Sequence, residues 1–306
     1  MTIRNLPEST IREVRSQILA GEPYQCLSLG GGVQSSTLWL MNMHGLITPR
    51  AEFAVFADTG WERQGTYNYL DYLDRVAAER GFPPVMRVAK GNIREDILAK
   101  AHHYSHMPLY TDSGTKRGGM LNRQCTGHYK IDVIKKELRA LFGMKQRVMW
   151  IGFSLDEISR MNNSRFPKYI KPRYPLLERN MTRADCLAWL EENLHPSPVK
   201  SSCVGCPYRT DAEWNELKEK FPAEFEDAGR FDEEVRDKHL NRPKRESNQG
   251  RLFEVDEPTF KLYLHKSREA LSEIEFAEKQ KTTEARGERT LQLALEQEEC
   301  QGGCFL

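Results

Sequence analysis

Short apolar runs separated by longer amphipathic stretches dominate the first 200 residues. The apolar runs cover residues 24–29, 51–57, 84–88 and 147–152. Runs of this length with few polar interruptions are typical of strands buried on both faces of a parallel sheet. Since helical patterns lie between these runs, the sequence predicts an α/β fold built on a parallel sheet.

Helical spacing of apolar residues predicts the helices that accompany these strands. In the leading segment, Ile11, Val14 and Ile18 fall on one helical face. Thr182 precedes a later helical pattern and is expected to be its N-cap. The predicted helical ranges are 1–21, 64–80, 92–103, 125–142 and 182–194, with a further helix after the first apolar run.

The first apolar run leads into three glycines and then into hydroxyl residues. A glycine turn between a strand and a helix lets backbone N–H groups converge on an anion, and the helix N-terminus adds partial positive charge. Glycine also lets the main chain approach a phosphate closely. The turn predicts a phosphate site, although an ordinary glycine-rich turn remains an alternative. Its candidate residues are Ser28, Gly30, Gly31, Gly32, Val33, Gln34, Ser35 and Ser36.

Two other segments carry features of a ligand site or its cover. The second apolar run ends in Asp58 and Thr59, and the carboxyl ends of parallel strands are where α/β folds bind ligands. The stretch 104–124 contains glycines beside Lys116, Arg117 and Arg123. It is predicted to be a mobile basic loop over the site.

Composition places the chain among water-soluble globular proteins. It has 306 residues, 39% hydrophobic and 29% charged, with a formal net charge of +1. A net charge this close to zero creates no overall electrostatic field that would attract nucleic acid. Any contact with nucleic acid therefore needs a local basic patch such as residues 242–245. The first 21 residues lack the apolar core of a signal peptide, and no apolar run is long enough to span a bilayer. A cytoplasmic protein is expected.

Seven cysteines favour metal or thiol chemistry over a disulfide framework, since their number is odd and the chain is large. Cys203 and Cys206 form a Cys-x-x-Cys turn, and Cys125 supplies a third thiolate for zinc or an iron–sulfur cluster. A reducible Cys203–Cys206 disulfide is the alternative. Cys26 and Cys186 lie in apolar patterns and are predicted to be core thiols. Cys300 and Cys304 lie on a glycine-rich tail.

The order of these motifs resembles the PP-loop ATP pyrophosphatase and phosphoadenosine phosphosulfate (PAPS) reductase family. The series begins with the Gly30–Ser35 loop and ends with Glu299-Cys300. Between them come, in order, Asp58-Thr59-Gly60, Cys125 with Lys130, Trp150-Ile151-Gly152, Arg160 and Cys203-x-x-Cys206. The chain departs from the family where Gly30 replaces the first loop serine, where Gln124 precedes Cys125, and where the tail lacks a histidine. The resemblance implies a Rossmann-like PP-loop fold of the adenine nucleotide α-hydrolase type.

By this resemblance, residues 1–200 form an adenine-nucleotide-binding α/β domain. Residues 201–306 form a mostly helical region with the Cys-x-x-Cys turn and a flexible cysteine tail. Asp58 and Thr59 are expected beside the adenosine, with Gly152 also in the cofactor site. Lys130 and Arg160 are expected to neutralise phosphate, although a solvated helix face and a helix-start charge network are their alternatives. Cys300 and Cys304 are expected to handle sulfur, with a disordered tail or an adventitious pair of metal ligands as the alternative.

The implied activity is ATP pyrophosphatase chemistry in sulfur transfer, with ATP, Mg²⁺ and a [4Fe–4S] cluster on Cys125, Cys203 and Cys206. The loop and tail are most similar to the ATP pyrophosphatases of DNA phosphorothioation, which favours DNA over tRNA as substrate. A cysteine desulfurase partner and a homodimer are also expected. Two alternatives remain: a thioredoxin-dependent PAPS reductase, and a non-catalytic iron–sulfur protein that binds nucleic acid.

Overall fold

A computed structural model describes residues 5–99, 107–112, 119–161, 166–237 and 260–276. These residues divide into two compact units. In the described part of the chain, unit 1 lies within Met1–Gly91 and Thr126–Ser202, and unit 2 lies within Asn92–Cys125 and Cys203–Gly287. The sequence predicts a single boundary after residue 200, whereas the chain passes into unit 2 twice.

Unit 1 is built around a five-stranded parallel sheet, which confirms the predicted α/β class. The strand order is β3-β2-β1-β6-β7, with every neighbouring pair parallel. The strands are β1 (Tyr24–Leu29), β2 (Phe53–Asp58), β3 (Met86–Ala89), β6 (Arg147–Ile151) and β7 (Ile170–Arg173). Every residue of β1 and β2 is buried, as continuous apolar runs in a parallel sheet require.

Helices in unit 1 supply the apolar side chains that cover the sheet. One hydrophobic cluster joins Leu38, Leu70 and Trp150, and a second joins Val14, Phe53 and Ile134. The helices are α1 (Glu8–Leu19), α2 (Val33–Met43), α3 (Gln64–Glu79), α5 (Asp132–Phe142), α6 (Pro175–Glu178) and α7 (Arg183–Glu192). The predicted cap at Thr182 is confirmed, because its hydroxyl and Asp185 form a capping box.

Unit 2 combines short helices with a three-stranded antiparallel sheet of order β5-β4-β8. Its elements are α4 (Ile93–Leu98), β4 (Tyr110–Asp112), β5 (Gly119–Met120), α8 (Asp211–Lys220), α9 (Pro222–Val235) and β8 (Lys261–Tyr263). Thr210 caps α8 through a second capping box, with Glu213 as its partner.

Three local predictions need correction. The segment predicted as a loop over 104–124 contains β4 and β5, because residues 110–112 pair with the distant strand β8. The helix predicted over 92–103 ends at Leu98, where Ala99 turns to an extended conformation. The helix predicted from Cys125 begins as a π-helix over Thr126–Ile131 before α5 continues it.

Candidate functional site

The glycine turn of unit 1 joins the buried end of β1 to the first turn of α2. Gly31 adopts φ +74°, a left-handed conformation that favours glycine, and a Cβ there would lie 3.2 Å from Thr66 Cγ2. Gly32 is the N-cap residue of α2, and among the described residues no side chain caps that helix. Its first N–H groups are therefore available to an anion.

Several hydroxyl groups surround the glycine turn. Ser28 is buried in β1. Ser35 Oγ accepts a hydrogen bond from the Gly30 N–H at 3.1 Å, which links the first turn of α2 to the start of the glycine turn. By contrast, the buried hydroxyls of Ser36 and Thr66 have no hydrogen-bond partner in the described part of the chain. Because buried polar atoms are rarely left without a partner, these hydroxyls fit a site that a polar ligand completes.

Gly152 follows β6 and permits close packing at the start of α2. A Cβ on Gly152 would lie 2.8 Å from Ser35 Cα and 3.0 Å from its backbone nitrogen. A larger residue would therefore displace the first turn of α2. The structure gives Gly152 a packing role, while the cofactor contact expected from the family resemblance stays a prediction.

Asp58 ends β2, the strand next to β1, and its side chain is buried. Asp58 Oδ1 accepts from the Gly60 N–H at 2.7 Å and from the Tyr67 hydroxyl at 2.9 Å. Burial raises the pKa of Asp58 above its usual range, and these hydrogen bonds offset only part of that effect. A buried carboxyl group with a perturbed pKa at the end of a sheet strand is a functional-site candidate.

Lys130 lies on the π-helix and pairs with a carboxylate that the sequence prediction missed. Its Nζ donates to Glu62 Oε1 at 3.0 Å, and the Thr59 hydroxyl donates to the same oxygen at 3.1 Å. Lys130 is only 6% exposed, which excludes the solvated helix face. The sequence offers no local signal for this pair, since its partners are 68 residues apart.

Arg160 belongs to a charge network that reaches the first turn of α2. Its guanidinium donates to Glu157 Oε1, while Gln34 Nε2 donates to Glu157 Oε2 at 3.2 Å. The guanidinium also lies over the Phe153 ring at 4.8 Å. Lys130 and Arg160, the two cations expected to contact phosphate, are thus both paired with carboxylates.

The Cys-x-x-Cys motif forms a tight turn in unit 2. The Cys206 N–H donates to the Cys203 carbonyl at 3.2 Å, and Arg209 donates to the carbonyls of Cys203 and Val204. The side chains of Cys125, Cys203 and Cys206 are partly exposed. Within the described ranges, however, no three His, Cys, Asp or Glu side chains are arranged to hold a metal ion. The thiol chemistry suits a soft metal, but the three-cysteine cluster stays a prediction.

Two other cysteines are core residues, as the apolar patterns predict. Cys26 in β1 and Cys186 in α7 are fully buried. Burial raises the pKa of each thiol to about 12, so neither supplies a thiolate near neutral pH. The expected sulfur-handling residues Cys300 and Cys304, and the basic patch at 242–245, lie outside the described residues.

No helix among the described residues combines the length and the apolar character that crossing a bilayer needs.

Comparison with known proteins finds weak similarities to solved structures, among them a reductase and a thiolase. No protein-family model matches the chain, and no curated protein sequence does so either. The chain is similar to a phosphoadenylyl-sulfate (PAPS) reductase from Candida auris in a phosphate complex, with 14% identity over 64% of this chain and 92% of that chain and a TM-score of 0.33. It is also similar to the U34-tRNA thiolase NcsA from Methanococcus maripaludis with its [4Fe–4S] cluster, with 16% identity over 74% and 77% of the two chains and a TM-score of 0.37. At these TM-scores neither structure assigns an activity to this chain.

Proposed function

We propose that this chain is an ATP pyrophosphatase that activates a nucleic-acid substrate for sulfur insertion. The observation that carries the proposal is the turn between β1 and α2. Among the described residues no side chain caps the N-terminus of α2, and the buried Ser36 hydroxyl has no hydrogen-bond partner. Such a turn at the carboxyl end of a central parallel strand suits a polyphosphate.

The reaction begins with attack of a substrate oxygen on the α-phosphorus of ATP. Pyrophosphate leaves, and the substrate oxygen keeps the adenylyl group. A sulfur nucleophile then displaces AMP and takes the place of that oxygen. The residues of this chain contribute by orienting ATP and by placing N–H and hydroxyl donors against its phosphates. Mg²⁺, when bound with ATP, would neutralise phosphate charge.

DNA is the favoured substrate and tRNA the second, in keeping with the motif resemblance. A cysteine desulfurase would supply the sulfur. The [4Fe–4S] cluster would be held by Cys125, Cys203 and Cys206. It would bind the sulfur atom during its transfer. Cys300 is proposed to carry sulfur as a persulfide whose outer sulfur displaces AMP. Cys304 would then attack the Cys300 sulfur, which breaks the S–S bond to the transferred sulfur, releases the thiolated substrate and leaves a Cys300–Cys304 disulfide for an external thiol to reduce. Homodimerisation is proposed as well.

Gly32→Val tests the nucleotide site. A Cβ at Gly32 meets Ser201 Cβ only at 4.0 Å, and the residue has an extended backbone, so the variant is expected to fold. Its branched side chain would cover the N–H groups at the start of α2, and we expect ATP affinity to fall at least about 100-fold. Titration calorimetry with ATP measures the loss.

Gly229→Val on α9 is the matched control, because a Cβ there meets no atom within 4 Å. It should bind ATP as the wild type does. Unchanged ATP affinity in a folded Gly32→Val protein would rule out this site. Pyrophosphate release in the presence of DNA or tRNA identifies the proposed reaction, whereas sulfite release from PAPS would identify the reductase alternative.

A further inference from the structure

Glu62 is the buried carboxylate of unit 1 whose hydrogen bonds are left incomplete. Its side chain is fully buried, yet Oε2 has no hydrogen-bond partner among the described residues. Leaving a buried charged acceptor without a partner is costly. In the described part of unit 1, the buried hydroxyls of Ser36 on α2 and Thr66 on α3 also lack a hydrogen-bond partner. Because buried polar atoms are rarely left without a partner, these atoms of unit 1 indicate a place for a polar ligand rather than a packing defect.

The other half of the carboxylate is held firmly. Lys130 Nζ and the Thr59 hydroxyl both donate to Oε1, at 3.0 Å and 3.1 Å. The backbone N–H of Glu62 donates to the Tyr67 hydroxyl at 3.3 Å, and Tyr67 in turn donates to Asp58. Two donors on one oxygen fix the orientation of the side chain, and they leave the second oxygen as a preorganised acceptor.

The position of Glu62 and its charge limit the class of ligand group. It follows β2, which pairs directly with β1, the strand that ends at the proposed phosphate site. In a nucleotide the sugar is the part next to the phosphates, and its hydroxyls are donors. Lys130 already neutralises the carboxylate, which disfavours a second cation at Oε2. A sugar hydroxyl therefore meets the requirements of Oε2 better than a metal ion does.

We propose that Glu62 Oε2 accepts a hydrogen bond from a ribose hydroxyl of the bound nucleotide and so makes the site selective for ribonucleotides. This inference rests on the proposed ATP site and adds a specificity residue to it. Lys130 then acts as a positioning residue that holds Glu62, and it need not leave its partner to reach phosphate.

The test compares ATP, 2′-deoxyATP and 3′-deoxyATP by titration calorimetry on the full chain. Wild-type protein should lose about 10- to 100-fold in affinity for the analogue that lacks the contacted hydroxyl, as expected for a hydrogen bond to a charged group. Glu62→Gln should bind that analogue and ATP within about threefold of each other. Equal discrimination in the wild type and in Glu62→Gln would overturn the inference.

Neutralising both partners guards against misfolding. Glu62→Gln leaves Lys130 buried without its carboxylate, so the double variant Glu62→Gln/Lys130→Met is measured beside it. The double variant should fold and show no sugar discrimination. A folded double variant that still distinguishes the sugars would reduce the pair to a structural role and overturn the inference.

A matched control comes from another buried ion pair of unit 1. Arg87 contacts Asp74 at 2.9 Å, and both side chains are 9% exposed. Arg87→Met/Asp74→Asn should keep the wild-type sugar discrimination. If the wild type binds ATP but does not distinguish the deoxy analogues, only the Glu62 inference fails. If the wild type binds no adenine nucleotide, the proposed function fails together with it.

Discussion

Two fully buried acids, one in each unit, are paired with a cation in the same way and differ in everything else they contact. In unit 1, Glu62 places both of its donors on Oε1 and leaves Oε2 without a partner among the described residues. In unit 2, Asp232 of α9 uses both oxygens. Oδ1 accepts from the Leu264 N–H at 2.7 Å, and Oδ2 accepts from Leu271 at 3.1 Å and from Arg236.

The difference separates a structural acid from a ligand-binding one. The Asp232 carboxylate joins α9 to the two backbone segments that follow β8, and its hydrogen bonds are complete without any other molecule. Burial raises the pKa of Asp232, but its backbone donors and Arg236 work against that shift. The Glu62 carboxylate is held on one side only, which is the arrangement expected where a ligand supplies the remaining donor.

The largest effect is expected from Asp232→Ala. The change leaves Arg236 without its carboxylate and removes the acceptor of two backbone N–H groups. We expect a loss of about 3–5 kcal/mol in the free energy of unfolding, with ATP affinity unchanged in the folded fraction. Urea denaturation measures the stability, and Glu233→Ala, an exposed change on the same helix, is the control. A loss below about 1 kcal/mol would contradict the structural role of Asp232.

A smaller effect distinguishes the two acids when both partners of each pair are neutralised. Glu62→Gln/Lys130→Met should stay within about 1 kcal/mol of the wild type, because replacing a whole buried ion pair by neutral groups is often tolerated. Asp232→Asn/Arg236→Met should still lose about 2 kcal/mol, since the amide nitrogen would face the Leu271 N–H. Equal losses in the two double variants would remove the distinction between the acids.

Much of unit 1 could be predicted because its strands are local apolar runs. The runs ending at Leu29, Asp58 and Ile151 became β1, β2 and β6, and the Thr182 cap followed from its position before a helical pattern. The strand β7 was missed because Ile170–Arg173 carries a proline and two charged residues. It lies at the end of the strand order, where a proline is tolerated.

The candidate site was predictable at the glycine turn and not in its buried polar network. The turn is contiguous in sequence, so its glycines and serines carry a local signal. The Glu62–Lys130 pair and the Gln34–Glu157 contact depend on segments that meet only in the folded chain. The same holds for the burial of the Thr66 hydroxyl, which has no partner within the described ranges. The pairing of β4 with β8 failed to appear in the sequence pattern for the same reason.

The smallest expected effect is a change in the free energy of unfolding at Asp58, a third buried acid. Asp58 is buried with a raised pKa, so its ionised form is disfavoured in the folded protein and ionisation costs stability as the pH rises through that pKa. Asp58→Asn removes the charge, and its amide oxygen can still accept from Gly60 and Tyr67. We expect a gain of about 1 kcal/mol at pH 7 that fades at low pH, once the pH has fallen through the raised pKa of Asp58 and the wild-type side chain has taken up its proton. Urea denaturation at pH 7 and at low pH measures the gain, and a loss of stability at pH 7 would contradict it. ATP affinity of the same variant should fall, because an acid that weakens the fold at neutral pH is expected to be retained for binding.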